Sequence, residues 1–139
     1  IRVDADGKAS VEAADEAGRF YAGVTLRQLG EAKGPLEIED WPEYAWRGAL
    51  VDESRHFFCE KAIKRIIEWM SYYKLNVLHL HLTDSPAWRY DVPGYPKLTE
   101  NVRKSYSRAE LEEVVAYANR HGIAIVGIDS GLPAAPTRP

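Results

Sequence analysis

From Trp46 onward, the chain alternates between apolar runs typical of strands and apolar stripes typical of helices. Three runs predict strands: residues 48–52, 74–84 and 123–129. Between them, apolar residues recur at three- and four-residue spacing, which predicts two helices. Their stripes are Ile63, Ile66, Ile67 and Met70, then Leu111, Val114, Val115 and Ala118. Ser107 and Glu110 predict a capping box at the start of the second helix, and Gly122 predicts its end.

This order of elements predicts an α/β fold. Strands that alternate with helices of this length form parallel sheets with right-handed crossovers. The third run is apolar on both of its faces, as buried parallel strands are. A (β/α) barrel and a doubly wound sheet both satisfy this pattern.

The first forty residues follow a different pattern. A polar stretch with one short alternating strand and a turn precedes an amphipathic helix, which we expect to end near Gly30 or Gly34. The apolar positions of this helix are Phe20, Val24, Leu26 and Leu29. Residues 34–47 carry two prolines and alternating charge, which predicts a linker or an edge strand. We therefore expect the end of an α+β module over residues 1–40 and the parallel α/β domain over residues 41–139.

The composition excludes several classes of partner. The chain has 139 residues, of which 45% are hydrophobic, enough for a packed core. Its net charge is -3, with 18 basic residues interspersed among 21 acidic ones, so no basic face is available for nucleic acid. No apolar stretch approaches the roughly 20 residues of a membrane span. The single cysteine excludes an internal disulfide and does not identify the compartment.

The candidate chemistry lies where the predicted strands end. Side chains alternate along a strand, so leucines 78, 80 and 82 are expected to face the helices and the two histidines the other side. Each predicted strand ends in an aspartate: Asp52, Asp84 and Asp129. Because ligand sites form at the carboxyl ends of parallel strands, three carboxylates there predict a polar pocket. The alternative is that each aspartate only caps a helix or starts a turn.

Five further side chains near these strand ends suit the recognition of a polar ligand. Arg55 and Arg89 follow strand ends, and a guanidinium group suits hydroxyl or carboxylate recognition. Trp88 offers an apolar ring for a sugar face, although such rings are more often part of a core. His79 and His81 face one way and, with Asp84, could bind a divalent metal, but such a pair is a weak signal, and hydrogen-bonded core histidines are common. No phosphate loop, GxSxG or CxxC motif is present, and we assign no metal and no cofactor.

Four segments resemble the start of the catalytic barrel of glycoside hydrolase family 20, the β-N-acetylhexosaminidases. They are WRGALVDESRHFF (46–58), IIEWMSYYKLNVLHLHLTDSPAWR (66–89), YPKLTE (95–100) and YSRAELEEVVAYANRHGIAIVGID (106–129). The segment that ends in FYAGVTLRQL resembles the end of the small α+β domain that precedes this barrel. The resemblance implies a partial TIM-barrel-like sheet of about three strands and two crossover helices, in a secreted or periplasmic enzyme.

The resemblance also implies a reaction and roles for individual residues. The family hydrolyses terminal N-acetylglucosamine or N-acetylgalactosamine with retention of configuration, and the substrate's own acetamido oxygen attacks the anomeric carbon. A glutamate acts as general acid and a neighbouring aspartate orients the acetamide. By the same resemblance, Arg55 would bind the outer hydroxyls of the sugar, and Asp84 would join the polar network behind the acid. The other predicted substrate-binding residues are His79, His81, Trp88 and Arg89.

The sequence departs from the family pattern in three places. The HxGGDE motif, which carries the family's acid and its partner, is absent. Ser85, Pro86 and Ala87 stand where the family continues LTDDQGWR, and the Pro-Gly-His turn after the third strand is missing. If the chain is active by itself, the general acid must therefore be one of four residues: Asp52, Glu53, Asp84 and Asp129.

Two other functions, and an oligomeric state, follow from the same departures. The alternatives to an active hexosaminidase are a non-catalytic amino-sugar-binding module and a truncated fragment. Three strands of an eight-stranded barrel leave parallel edges and apolar faces open. We therefore predict a homo-oligomer that pairs through these edges, with an amino-sugar glycan as substrate and neither nucleic acid nor a membrane as partner.

Overall fold

The computed structural model of the protein describes residues 1–31 and 34–127. The chain divides into two compact units, one over residues 1–45 and one from residue 46 onward. Within the described residues, no helix is both long enough and apolar enough to cross a membrane. The candidate chemistry lies in the second unit.

The first unit is a small antiparallel sheet with one helix. Its elements are β1 (Arg2–Val3), β2 (Ala9–Ser10), α1 (Glu16–Leu29) and β3 (Leu36–Glu37). Strand β1 lies between β2 and β3 and is antiparallel to both. The carboxylate of Asp15 caps α1 by accepting the Gly18 N–H at 2.6 Å, and Gly30 follows the last turn with φ 60°. The predicted helix end near Gly30 is confirmed, and β3 shows that the segment after it contains an edge strand.

The second unit contains the predicted parallel sheet. Its elements are β4 (Gly48–Asp52), α2 (Glu60–Tyr72), β5 (Val77–His81), β6 (Thr83–Asp84), β7 (Ala87–Trp88), a 3₁₀ turn (Pro96–Leu98), α3 (Arg108–Arg120) and β8 (Ala124–Gly127). The strand order is β4-β5-β8, and both neighbouring pairs are parallel. Helices α2 and α3 make the two crossovers. The α/β fold class and the three-stranded parallel sheet are therefore confirmed.

One face of the parallel sheet packs against the two helices. Leu78, Leu80 and Leu82 on this face are at most 2% exposed. They form one core with the helical stripes, whose buried members are Ile63, Ile67, Met70, Leu111, Val114 and Ala118. Full burial of one such side chain contributes about 1.5–3 kcal/mol, so this face supplies much of the free energy of folding.

The opposite face of the sheet is open. Leu50, His79 and Val126 are direct neighbours across the three strands. Leu50 is 59% exposed and Val126 is 37% exposed. The predicted alternation of β5 is therefore confirmed, because its leucines face the helices while its histidines lie on the open side.

Helix α3 begins with the predicted capping box. The Ser107 N–H donates to Glu110 Oε2 at 2.7 Å, and the Glu110 N–H donates to Ser107 Oγ at 3.3 Å. The helix ends at Arg120, and Gly122 follows with φ 71°. This left-handed conformation suits glycine and turns the chain into β8.

The second parallel strand is shorter than predicted. We expected it to extend to Asp84, but β5 ends at His81, and β6 instead pairs antiparallel with β7. The His81 carbonyl accepts the N–H groups of both Glu53 and Ser54, each at 3.1 Å, so the loop after β4 crosses the end of β5. The prediction that this strand ends in an aspartate is therefore wrong. The predicted end of the third strand, with Asp129, lies outside the described residues.

Candidate active site at the strand ends

The candidate site lies at the carboxyl ends of β4 and β5. Asp52 is the last residue of β4 and pairs in register with His81, the last residue of β5. Because the strands are parallel, both side chains lie at the same edge of the sheet. The β6–β7 hairpin then returns Asp84 to this edge.

Arg55 connects the two aspartates. Its guanidinium forms ion pairs with Asp52 and with Asp84, the latter through an Nη2 donation to Oδ2 at 2.7 Å. Its backbone N–H donates to Asp52 Oδ1 at 3.0 Å. The Arg55 side chain nevertheless remains 61% exposed. The structure thus brings Arg55, Asp52 and Asp84 together in one exposed cluster.

Asp84 has two further contacts at this edge. The Ser85 N–H donates to its Oδ1 at 2.6 Å, and His81 Nε2 lies 3.2 Å from its Oδ2. The Ser85 N–H, then His81 and Arg55, lower the pKa of the Asp84 carboxyl below its ordinary value. The backbone N–H and guanidinium of Arg55 likewise lower the pKa of Asp52. Both aspartates are therefore carboxylates at neutral pH, and the cluster suits hydroxyl groups that donate hydrogen bonds.

Arg89 lies below this cluster and binds the main chain. Its Nε donates to the Glu53 carbonyl at 2.8 Å, and its Nη2 donates to the Ser54 carbonyl at 3.0 Å. Its Nη1 donates to the Lys104 carbonyl, also at 3.0 Å. Each nitrogen of this guanidinium thus donates to a backbone oxygen, so Arg89 holds the β4–α2 loop (residues 53–59) in place.

Glu53 points into the protein beneath the same loop. The residue is 0% exposed, and its Oε2 accepts the Phe58 N–H at 2.8 Å. Its Oε1 has no hydrogen-bond partner within the part of the chain that the structure describes. Burial raises the pKa of Glu53 to about 7, and the Phe58 N–H, the Tyr106 hydroxyl and Arg89 only partly offset this. Such a pKa suits a general acid, but a fully buried carboxyl group does not reach a sugar.

Two residues that support the loop were not predicted. The Tyr106 hydroxyl donates to the Phe58 carbonyl, and Ser54 Oγ donates to the Ala87 carbonyl at 2.9 Å. Tyr106 is 1% exposed, and burial raises the pKa of its hydroxyl. The one available signal in the sequence was that a tyrosine in a packed core needs a hydrogen-bond partner.

The remaining predicted residues lie farther inside. His79 is half-buried on the open face, and Trp88 is half-buried with its ring 5.2 Å from that of Tyr90. Neither His79 Nε2 nor Trp88 Nε1 has a partner among the described residues. The described residues contain no group of three His, Cys, Asp or Glu side chains that could hold a metal ion. Asp129 lies outside the described residues.

Two surface hollows lie elsewhere and do not border this cluster. One of about 690 Å³ is lined by β1 and β3 in the first unit. Another of about 660 Å³ lies along α2, beside Trp69, Tyr72 and Tyr73. The strand ends therefore remain the candidate site, because the charged groups converge there.

Comparison with known proteins identifies the class. Residues 44–134 match the family described as "Glycosyl hydrolase family 20, catalytic domain". The fold and the match together identify a partial (β/α) barrel from this catalytic-domain family. The chain belongs to glycosyl hydrolase family 20, and so to an enzyme family of hexosaminidases.

Individual relatives agree with this assignment. The chain is 42% identical to a β-hexosaminidase of Akkermansia muciniphila over 78% of its own length and 26% of the relative's. It is 39% identical to a β-N-acetylhexosaminidase of Cellulomonas fimi over 89% of its length and 28% of the relative's. The chain thus spans about a quarter of the length of these curated relatives.

The fold agrees as well. The structure is similar to the crystal structure of a Flavobacterium johnsoniae chitobiase, with a TM-score of 0.83 at 34% identity. The similarity covers 91% of this chain and 20% of that one. It confirms the partial TIM-barrel-like fold and excludes the doubly wound alternative.

Proposed function

We propose that this chain forms the sugar-binding strand ends of a β-N-acetylhexosaminidase that removes terminal N-acetylglucosamine or N-acetylgalactosamine. Configuration is retained, and the acetamido group of the substrate is the nucleophile. The observation that carries the proposal is the exposed Arg55 guanidinium, held between Asp52 and Asp84 where two parallel strands end. The names of the relatives, which are hexosaminidases, support this choice of substrate.

Arg55 is the main contact to the sugar in this proposal. Its two ion pairs hold the guanidinium in place, and its exposed N–H groups donate to the outer hydroxyls of the sugar. Asp84 accepts from a hydroxyl or from the group that acts as acid, and His81 adds a ring nitrogen to the same network. His79 and Trp88 line the interior, while Arg89 contributes by holding the loop that carries Arg55.

These residues are poorly suited to act as the general acid. Asp52 and Asp84 have lowered pKa values and stay ionised, and Glu53 is buried. Asp129 remains the fourth candidate. We propose that the acid and its aspartate partner come from a further part of the barrel, in a longer polypeptide.

The same reasoning extends to organisation and location. We propose that residues 1–40 end an α+β module and that residues 41–139 begin the catalytic barrel, in a secreted or periplasmic protein. The division into two compact units supports a boundary in this region. The open sheet face and the strand edges support pairing with a second copy.

A non-catalytic amino-sugar-binding module is the second candidate. It is favoured by one feature of the cluster: the contacts that lower the pKa values of Asp52 and Asp84 favour their ionised forms, which suits binding and not proton donation. In this case the chain holds an amino sugar through Arg55 and does not hydrolyse it.

Two measurements on the 139-residue chain separate the candidates. The first is turnover of a chromogenic aryl N-acetylglucosaminide, and the second is calorimetric binding of N-acetylglucosamine. Arg55→Ala is expected to weaken binding about ten- to a hundredfold, because a charged hydrogen-bond donor is lost. Arg108→Ala, which removes an exposed arginine from α3, is the matched control and should bind normally.

The results discriminate clearly. Turnover with binding supports the enzyme, and binding without turnover supports the module. Absence of both contradicts sugar recognition by this chain and leaves the truncated fragment. If turnover occurs, the amide variants of Asp52, Glu53, Asp84 and Asp129 test the acid, and unchanged activity in all four would exclude them.

A further inference from the structure

The β4–α2 loop carries Arg55 at its exposed side and Glu53 at its buried side. They are two positions apart, yet the Arg55 side chain is 61% exposed and Glu53 is 0% exposed. A buried carboxyl group is costly unless it is hydrogen-bonded, and this one satisfies only one of its two oxygens among the described residues. Its presence beneath the loop therefore requires a reason other than packing.

The contacts of Glu53 connect the beginning of the β4–α2 loop to its end. Its Oε2 accepts the N–H of Phe58, five residues further along, while its own carbonyl accepts from Arg89. The Phe58 carbonyl in turn accepts from the Tyr106 hydroxyl. Hydrogen bonds to the Glu53 carboxyl group, the Glu53 carbonyl and the Phe58 carbonyl thus hold both ends of the turn that contains Arg55.

We propose that Glu53 is a positioning residue, whose buried carboxyl group shapes the β4–α2 loop so that Arg55 presents its guanidinium to the amino sugar. The ligand in this inference, an amino sugar, rests on the proposed function. The geometry of the loop does not depend on it. Glu53 touches no sugar; it acts through the loop and through Arg55.

Glu53 also makes the loop sensitive to pH. The charged and titratable groups around it are Asp52 at the end of β4, Arg89 after β7, and Tyr106 before α3, with Cys59 and Glu110 beyond the tyrosine. Burial raises the pKa of Glu53 from 4.5 to about 7, so the folded chain keeps a proton that the unfolded chain releases. The free energy of unfolding therefore falls as pH rises through this interval, and we expect the charge that forms beneath the loop to loosen it.

The test compares sugar binding at several pH values in matched variants. In the wild type we expect N-acetylglucosamine to bind about three- to tenfold more weakly at about pH 8.5 than at about pH 5.5. Glu53→Gln keeps an oxygen for the Phe58 N–H but does not titrate, so it should bind well and lose this dependence. Glu53→Ala removes the acceptor and should weaken binding about tenfold. Glu112→Gln removes an exposed carboxylate from α3 and should behave as the wild type.

A second readout does not depend on sugar. The Arg55 Nε–H signal in ¹⁵N NMR spectra, assigned by its loss in Arg55→Lys, should shift with pH in the wild type and not in Glu53→Gln. An identical pH response in the wild type and Glu53→Gln would overturn the inference, as would normal binding by Glu53→Ala. If no variant binds sugar, the proposed function fails, and the Arg55 signal alone decides the role of Glu53.

Discussion

The two faces of the parallel sheet use the same three strands in opposite ways. On the helix side, Leu78 and Leu80 are at most 1% exposed. On the open side, Leu50 is 59% exposed and lies beside His79. Successive side chains of β5 point to opposite faces of the sheet, so its leucines enter the core and its histidines lie on the open side. One face therefore stabilises the fold, and the other is left for contacts outside the core.

The largest expected difference between the faces is in stability. Leu80→Ala should lower the free energy of unfolding by about 2–5 kcal/mol, because it leaves a cavity among α2, α3 and the sheet. Leu50→Ala removes the same atoms from an exposed position and should cost less than about 1 kcal/mol. Urea unfolding followed by near-ultraviolet circular dichroism measures both. Similar losses would show that the open face is also part of a core.

The next effect concerns self-association. If the open face and its edges pair with a second copy, the wild-type chain should be at least dimeric by light scattering. Leu50→Glu and Val126→Glu place charges on that face and should give a monomer. Val11→Glu, at an exposed valine of the first unit, is the control and should leave the mass unchanged. A monomeric wild-type chain would contradict pairing through this face.

The smallest expected effect is at the exposed cluster. The pKa values of Asp52 and Asp84 are lowered, so their pairing with Arg55 should persist below the ordinary aspartate pKa of 3.8 and be lost only in stronger acid. NMR titration of the carboxyl carbons should give midpoints below that value. In Arg55→Ala both midpoints should rise. Midpoints at or above 3.8 in the wild type would show that the ion pairs do not hold in solution.

Much of the fold could be predicted because its signals are local. The stripes of α2 and α3, the capping box at Ser107 and the alternation of β5 each depend on residues a few positions apart. The parallel order then brings Arg55 near Asp84, although 29 positions separate them. This proximity could be predicted because the carboxyl ends of neighbouring parallel strands lie at the same end of the sheet.

The parts that could not be predicted depend on the main chain. At the end of β5, the His81 carbonyl accepts the N–H groups of Glu53 and Ser54, which any residue except proline could supply. The role of Arg89 is likewise invisible in a sequence, because its acceptors are backbone oxygens. Glu53 and Tyr106 are both buried and interact, but they lie 53 positions apart and no sequence pattern connects them.

Because Arg89 donates to backbone oxygens, it stabilises the main chain of the loop and makes these hydrogen bonds whatever side chains the loop carries. Substitution at exposed positions such as Arg55 or His56 should therefore change what the loop contacts while the turn itself persists. A library randomised at those two positions would keep its scaffold, which makes this short segment a practical place to select new sugar preferences.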